Sequence, residues 1–269
     1  MNALEKIVIE KRKQVMDEKQ LFPVELLERS IYFKSECVSL KKYLLREDKS
    51  GIIAEIKKKS PALGAINPYV KVEKLSIGYM QAGASALSVL TDKKLFGGSN
   101  ADLTTARKFN FCPVLRKDFV IDEYQVIEAK SIGADAVLLI AAILNREEIK
   151  HFTDLAHQLG MEVILELHAE QELEKIYEKV DVIGVNNRNL QTMQIDIATS
   201  RSMAELIPRE FIKISESGIE DPLIVLELKQ LGYNGFLIGS GFMKYPEPEK
   251  ACAAFIQQIN KLKNETPGA

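Results

Sequence analysis

The sequence predicts an α/β fold, a (β/α)8 TIM barrel with an N-terminal helical extension of about 50 residues. Eight short apolar segments alternate with eight helical ones from Gly51 onward, and eight such units close into a barrel. The strands are continuous apolar runs, as parallel strands covered on both faces are. Four glycines follow helical segments as C-caps: Gly83, Gly133, Gly160 and Gly232. A doubly wound open sheet is the alternative.

The boundaries of each element follow from the periodicity of apolar residues. The predicted strands are 52–57, 86–90, 113–117, 136–140, 162–166, 182–185, 211–215 and 235–238. The predicted barrel helices are 70–81, 100–108, 122–131, 146–159, 169–178, 197–206, 221–230 and 246–261.

The first 50 residues carry helical patterns of their own. Residues 2–19 have an amphipathic helical pattern, and Pro23 is placed to open a second short helix over 24–29. No Gly-rich or Ser-rich linker precedes Ser50-Gly51, so we expect one domain, with the extension lying across one end of the barrel. The predicted division is a single domain 1–269, with extension 1–50, barrel 51–262 and a loose tail 263–269.

Composition excludes several classes of protein. The 36 Lys and Arg nearly balance the 38 Asp and Glu, and the net charge of −2 gives no general attraction to nucleic acid or anionic membranes. No apolar run approaches the ~20 residues that span a bilayer, and the charged N-terminus is no signal peptide. Cys37, Cys112 and Cys252 are odd in number and far apart, which indicates reduced thiols and a cytoplasmic protein.

Charged residues recur where the predicted strands end. Strand alternation puts Ile53, Glu55 and Lys57 on one face, and a buried charge costs several kcal/mol unless it is paired or used. Active sites of (β/α)8 barrels lie at the carboxyl ends of the strands. The same parity groups Leu115 with Lys117, Ile164 with Glu166, and Ile214 with Glu216. These residues predict a catalytic rim; the alternative is a ring of salt bridges that only closes the barrel.

Small residues follow the last two strands and predict a phosphate site. Ser217-Gly218 precedes a predicted helix, and Gly239-Ser240-Gly241 follows the eighth strand. Small residues let backbone N–H groups approach a phosphate, and a helix N-terminus favours its charge. Phosphate sites after strands 7 and 8 recur in this fold.

Neither a metal nor an organic cofactor is predicted. His151 and His157 lie six residues apart on one helix and share no face, and Glu166 with His168 gives only two ligands. No dinucleotide-binding Gly motif or P-loop follows a strand. The basic run at residues 57–59 lacks the aromatic platform of a nucleic-acid site.

The motifs together resemble the indole-3-glycerol phosphate synthase family, the barrel enzymes of tryptophan biosynthesis, over essentially the whole chain. One departure is Ala62-Leu63-Gly64, where the family often has Ser-Lys-Gly after Ser-Pro, which puts loop closure or affinity in question. The matching strings are Ala54-Glu55-Ile56-Lys57-Lys58-Lys59-Ser60-Pro61, Leu90-Thr91-Asp92, Phe96-Gly97-Gly98-Ser99, Pro113-Val114-Leu115-Arg116-Lys117-Asp118-Phe119, Leu138-Leu139-Ile140, Gly184-Val185-Asn186-Asn187-Arg188-Asn189-Leu190, Ser215-Glu216-Ser217-Gly218-Ile219 and Leu237-Ile238-Gly239-Ser240.

The resemblance implies closure of 1-(2-carboxyphenylamino)-1-deoxyribulose 5-phosphate to indole-3-glycerol phosphate, with loss of carbon dioxide and water. Lys117 would be the general acid, Glu166 the second acid/base, and Lys57 the partner of the substrate carboxylate, oriented by Glu55. We expect Lys57 and partial burial to lower the pKa of Lys117, with Glu55 opposing that shift. The other implied contacts are Ser60, Asn186, Arg188 and Glu216 with polar groups, Phe96 and Leu138 with the aromatic ring, and Ser217, Gly218, Gly239 and Ser240 with the phosphate.

Three alternatives use the same residues or fold. Lys117 could be the nucleophile of a Schiff-base aldolase. A phosphoribosylanthranilate isomerase is usually a shorter barrel without this extension, and a catalytically silent barrel would not need the set Glu55, Lys57, Lys117 and Glu166, all of which are present. The expected partner is a small phosphorylated substrate. We expect the protein to be a monomer or weak dimer, with possible transient contact with other tryptophan-pathway enzymes.

Overall fold

The computed structural model describes residues 3–190 and 192–265. Eight parallel strands form a closed barrel in chain order. A short antiparallel hairpin, with two residues in each strand, follows the first barrel strand. The barrel strands are β1 (Ile52–Ile56), β4 (Ala86–Leu90), β5 (Val114–Lys117), β6 (Ala136–Ile140), β7 (Glu162–Leu167), β8 (Val182–Asn186), β9 (Ile212–Glu216) and β10 (Gly235–Ile238), and the hairpin is β2 (Lys59–Ser60) with β3 (Gly64–Ala65).

Helices surround this barrel and form the N-terminal extension. They are α1 (Ala3–Leu21), α2 (Val24–Leu27), α3 (Leu40–Leu45), α4 (Val72–Gln81), α5 (Lys93–Phe96), α6 (Asn100–Phe109), α7 (Glu123–Ser131), α8 (Arg146–Gln158), α9 (Ala198–Met203), α10 (Pro222–Gln230), α11 (Ser240–Met243) and α12 (Pro248–Glu265), with a 3-10 helix over Glu170–Lys175 between β7 and β8.

The predicted (β/α)8 barrel is confirmed, and the differences are local. The segment predicted as a helix over 169–178 is the shorter 3-10 helix, and Lys57 lies just beyond β1. Helix α12 continues to Glu265, so residues 263–265 are helical and not part of a loose tail, while 266–269 lie outside the described residues. The four capping glycines all have positive φ, as the sequence predicts.

Strand alternation separates two apolar clusters. Residues pointing outward, such as Ile52 and Val163, pack against the helices in one cluster. Residues pointing inward, such as Ile53, Leu115 and Ile164, form a second cluster in the barrel interior. Side chains two positions further along the inward rows therefore lie at the carboxyl end of the barrel.

The N-terminal extension reaches both ends of the barrel, where one end was expected. Lys11 of α1 pairs with Asp92 (2.5 Å) and Asp118 (2.8 Å), which follow β4 and β5 at their carboxyl ends. Leu40 and Leu44 of α3 instead join the interior cluster near the amino end, where Ser39 Oγ donates to Glu162 at the start of β7. The extension is thus part of the same packed unit as the barrel.

Replacing Lys11 by methionine should destabilise the protein by about 3–5 kcal/mol, because Asp92 would stay buried without its cation and Asp118 would keep only Arg116, 3.6 Å away. Methionine keeps most of the apolar stem of lysine, so the lost stability would come from the missing charge and not from poorer packing. Urea unfolding measures the change, with the exposed neighbour Lys13→Met as the matched control. Equal stability of the two variants would contradict an energetic role for this buried ion pair.

Candidate active site

Two lysines and three glutamates meet inside the carboxyl end of the barrel. Lys117 Nζ lies 3.0 Å from Glu166 Oε2 and 3.4 Å from Glu216 Oε2. Lys57 Nζ lies 2.8 Å from Glu55 Oε1. The glutamate side chains are at most 5% exposed, whereas each lysine is 14% exposed. The lysines therefore face the opening, and the carboxylates lie beneath them.

Two glycines make room for the carboxylates. A Cβ on Gly184 of β8 would lie 2.5 Å from Glu216 Oε1. A Cβ on Gly239, just after β10, would collide with the carboxylate of Glu55. Gly239 was predicted only as part of a phosphate cradle, so its contact with Glu55 gives this position a second constraint.

The electrostatic environment of Lys117 differs from the sequence-based expectation. Burial opposes its charge, but the carboxylates of Glu166, Glu216 and Glu55 outweigh burial and raise the pKa of Lys117. The expected lowering of this pKa is therefore wrong, because three carboxylates surround the ammonium and no second lysine dominates. Lys117 enters any reaction fully protonated.

The two carboxylates beside Lys117 have opposite shifts. Burial would raise the pKa of Glu166, but Lys117 and a hydrogen bond from His168 outweigh it, and the pKa is lowered. Burial raises the pKa of Glu216 well above its usual value, since Lys117 offsets it only in part and Glu166 adds repulsion. Glu166 is the anion of this trio, and Glu216 holds its proton more tightly.

Glu216→Gln should make stability less dependent on pH. A raised folded pKa means that the folded protein keeps a proton that the unfolded chain releases above about pH 4.5, so wild-type stability falls as pH rises from there through the folded pKa. One such group contributes a slope of at most about 1.4 kcal/mol per pH unit. Urea unfolding at pH 5 and pH 8 measures the change. Between these two pH values the free energy of unfolding should decrease less for Glu216→Gln than for wild type or for the exposed control Glu147→Gln. Equal decreases would contradict the raised pKa.

The loops after β9 and β10 present backbone amides at the same rim. Ser217 and Gly218 both have positive φ, 68° and 76°, and Ser240 begins helix α11 directly after Gly239. Asn187 holds the first loop in place, because its Nδ2 donates to the carbonyls of Glu216 and Ser217 at 3.0 Å each. The four residues predicted to bind phosphate thus lie in two adjacent loops.

Apolar side chains also lie in the barrel interior toward the carboxyl ends of the strands. The rings of Phe96 and Phe119 stack with centroids 6.2 Å apart. Phe119 and Leu138 belong to the interior cluster, and Phe96 packs against it. The two rings and Leu138 form an apolar surface in the interior cluster that also contains Leu115, two residues before Lys117.

The remaining predicted contacts lie at the carboxyl end of β8 and in the segments that follow β1 and β8. Ser60, in the hairpin after β1, accepts a hydrogen bond from the backbone of Leu63 at 3.1 Å. Asn186 accepts from the backbone N–H of Arg188 at 3.0 Å. The guanidinium of Arg188 donates to the carbonyl of Met193 at 3.2 Å. These side chains are engaged with their own loops, which fixes the shape of the rim.

Three residues at the site were given no role by the sequence-based argument. Phe119 and His168 stand two positions beyond Lys117 and Glu166, so the same strand parity would have found both. Asn187 faces the other way, and only its contacts in the folded chain show that it supports the loop after β9.

Comparison with known proteins shows the family to which the chain belongs. A sequence profile described as indole-3-glycerol phosphate synthase matches residues 4–255. The chain belongs to the indole-3-glycerol phosphate synthase family. A relative of that name from Bacteroides thetaiotaomicron is 46% identical over 258 residues, covering 96% of this chain and 99% of that protein. Another from Caldanaerobacter subterraneus is 43% identical over 246 residues, covering 91% and 94%.

Solved structures with the same fold are more distant in sequence. The tryptophan synthase alpha chain of Legionella pneumophila aligns with a TM-score of 0.62 at 14% identity, covering 86% of this chain and 98% of that chain. The 3-hexulose-6-phosphate synthase of Salmonella typhimurium gives 0.60 at 12%, covering 78% and 99%. These similarities establish the barrel fold alone.

The described residues, 3–190 and 192–265, form neither a metal-binding cluster nor a membrane-spanning helix. No group of three or more His, Cys, Asp or Glu side chains in this part of the chain could hold a metal ion. No helix in the same residues has the length and apolar character needed to cross a membrane.

Proposed function

We propose that the chain closes 1-(2-carboxyphenylamino)-1-deoxyribulose 5-phosphate to indole-3-glycerol phosphate, a carbon-carbon lyase reaction of tryptophan biosynthesis. The observation that carries the proposal is the Lys117 ammonium, 3.0 Å from the Glu166 carboxylate, at the catalytic end of the barrel. A charged acid and an ionised carboxylate side by side suit a reaction that needs one proton delivered and another removed.

Lys117 is the proposed acid of the first step. The ring carbon that bears the carboxylate attacks the ketone carbon, and the ketone oxygen takes a proton from Lys117 to become a hydroxyl. The carboxylate then leaves as carbon dioxide, and its bonding electrons restore the aromatic ring. This restoration drives the decarboxylation, so the step needs no organic cofactor.

Glu166 is the proposed acid/base of the dehydration. Glu166 takes a proton from the new five-membered ring and passes it to the hydroxyl, which departs as water, and the indole forms. Once Lys117 has given up its proton, its charge no longer holds down the pKa of Glu166. The carboxylate therefore becomes a stronger base at the stage that requires one.

The other side chains are proposed to bind and orient the substrate. Lys57 holds the substrate carboxylate, with Glu55 orienting it from 2.8 Å. Phe96 and Leu138 flank the aromatic ring. The polar groups of the substrate contact Ser60, Asn186, Arg188 and Glu216. Its phosphate lies against Ser217, Gly218, Gly239 and Ser240.

Indole absorbance and fluorescence test the proposal, because the protein has no Trp and contributes little background. Purified wild type should convert the carboxyphenylamino-deoxyribulose phosphate to a fluorescent product with release of carbon dioxide. A folded protein that forms no product would refute the proposal. Borohydride trapping of a substrate adduct would favour the aldolase alternative, although a raised pKa keeps Lys117 from being the neutral amine a Schiff base needs.

We further propose that the chain works in the cytoplasm as a monomer or weak dimer, with at most transient contacts with other enzymes of the pathway. The three cysteines are free thiols in the structure, which supports a reducing compartment. Light scattering across a concentration series would measure the oligomeric state, and a stable higher oligomer would contradict this proposal.

A further inference from the structure

His168 lies directly behind the proposed catalytic carboxylate. Its Nε2 is 2.9 Å from Glu166 Oε1, while the other oxygen of Glu166 faces Lys117 at 3.0 Å. On the far side of the ring, Nδ1 is 3.1 Å from the carbonyl oxygen of Arg188. The side chain is only 8% exposed. The imidazole is thus held between the base of the reaction and the loop after β8.

The partners of the ring determine its protonation. A backbone carbonyl can only accept, and the Glu166 carboxylate beside Lys117 is ionised and also accepts. Both ring nitrogens must therefore donate, which makes His168 an imidazolium. Glu172, from the 3-10 helix, accepts from the backbone N–H of His168 at 2.7 Å and adds negative charge nearby. Burial opposes the cation, but Glu166 and Glu172 outweigh it and raise the pKa of His168.

We propose that His168 is a positioning residue for Glu166, holding its Oε1 by a charge-assisted hydrogen bond so that Oε2 points at the reacting atoms. The inference rests on the proposed role of Glu166. Charge-assisted hydrogen bonds are shorter and about twice as strong as neutral ones, so this contact fixes both the orientation and the ionised state of the carboxylate. No proton leaves His168 in this role.

Removing the imidazole should change the rate and its pH dependence together. In His168→Leu, kcat should fall about tenfold with KM within about twofold, because the base loses its orientation while the substrate contacts remain. The acid limb of kcat/KM should move up by about one pH unit, since a lost hydrogen bond to a charged group raises the pKa of Glu166 by that order. His168→Gln keeps one donor and should recover most of the rate.

A double variant separates positioning from general damage. In a Glu166→Gln background, adding His168→Leu should cost less than about twofold, because its target is already gone. The matched control is His151→Leu, whose imidazole contacts Glu123 at 2.9 Å on the exposed surface, and it should leave rate and pH profile unchanged. Circular dichroism at each pH confirms that the variants are folded.

Three outcomes would be decisive. An unchanged pH profile in His168→Leu, or a full tenfold further loss in the Glu166→Gln background, overturns the positioning role. A wild-type rate in Glu166→Gln alone would instead refute the proposed role of Glu166, whatever His168 does. Either of the first two outcomes, together with the expected rate loss in Glu166→Gln, leaves the proposed function intact and removes only this inference.

Discussion

Lys117→Ala is expected to lower kcat for ring closure by about a thousandfold, within the range that a positioned general acid contributes. The ketone oxygen gains negative charge as the ring carbon attacks, and without Lys117 the described site has no other ammonium between Glu166 and Glu216. Because these carboxylates raise the pKa of Lys117, the acid is already charged at neutral pH. Loss of the acid through its own titration should therefore begin only above the usual lysine range.

Two companion variants test whether the loss of kcat in Lys117→Ala comes from the missing ammonium proton. Lys117→Met keeps the apolar stem and should be as inactive as the alanine variant, provided that circular dichroism shows a folded barrel. Lys57→Ala should mainly raise KM, since Lys57 is placed to bind the substrate carboxylate. Initial rates of indole formation measure all three. If Lys117→Ala turned over like wild type while Lys57→Ala did not, the acid would be Lys57.

Much of the barrel could be predicted because each strand and each helix cap depends on residues close together in the sequence. Each unit has a continuous apolar strand, and a capping glycine with positive φ precedes four of the strands. Helix α3 could not be predicted as easily, since it has only six residues, two of which pack into the interior cluster. The segment after β7 has a helical pattern, yet its six ordered residues form a tighter 3-10 turn.

The candidate site was predictable in position but less so in electrostatics. Strand parity placed Lys117, Glu166 and Glu216 on one rim, because period-two alternation is geometric. The direction of the Lys117 pKa shift depends on which charges lie within a few ångströms, and no spacing in the sequence states that distance. His168 was weighed as a metal ligand, and its contact with Glu166 emerges only when the ring is placed.

Glu166→Gln is expected to lower kcat for indole formation by about a hundredfold to a thousandfold. Glutamine has nearly the same shape and can still contact Lys117, so the loss would come from the missing base rather than from a cavity. The lowered pKa of Glu166 means that wild type should keep this carboxylate ionised to pH values below the usual range of a glutamate. The rate loss should therefore be present across the neutral range.

The order of the two proton transfers gives this prediction its sharpest test. Lys117 remains in Glu166→Gln and can still protonate the ketone oxygen, so the first step and the loss of carbon dioxide should proceed while dehydration stalls. In a single turnover with substrate labelled in its carboxylate, released carbon dioxide should then run ahead of indole absorbance. Exposed Glu147→Gln should show the two signals rising together, as in wild type. Equal slowing of both signals in Glu166→Gln would place this carboxylate in the first step, beside Lys117, and not in the dehydration.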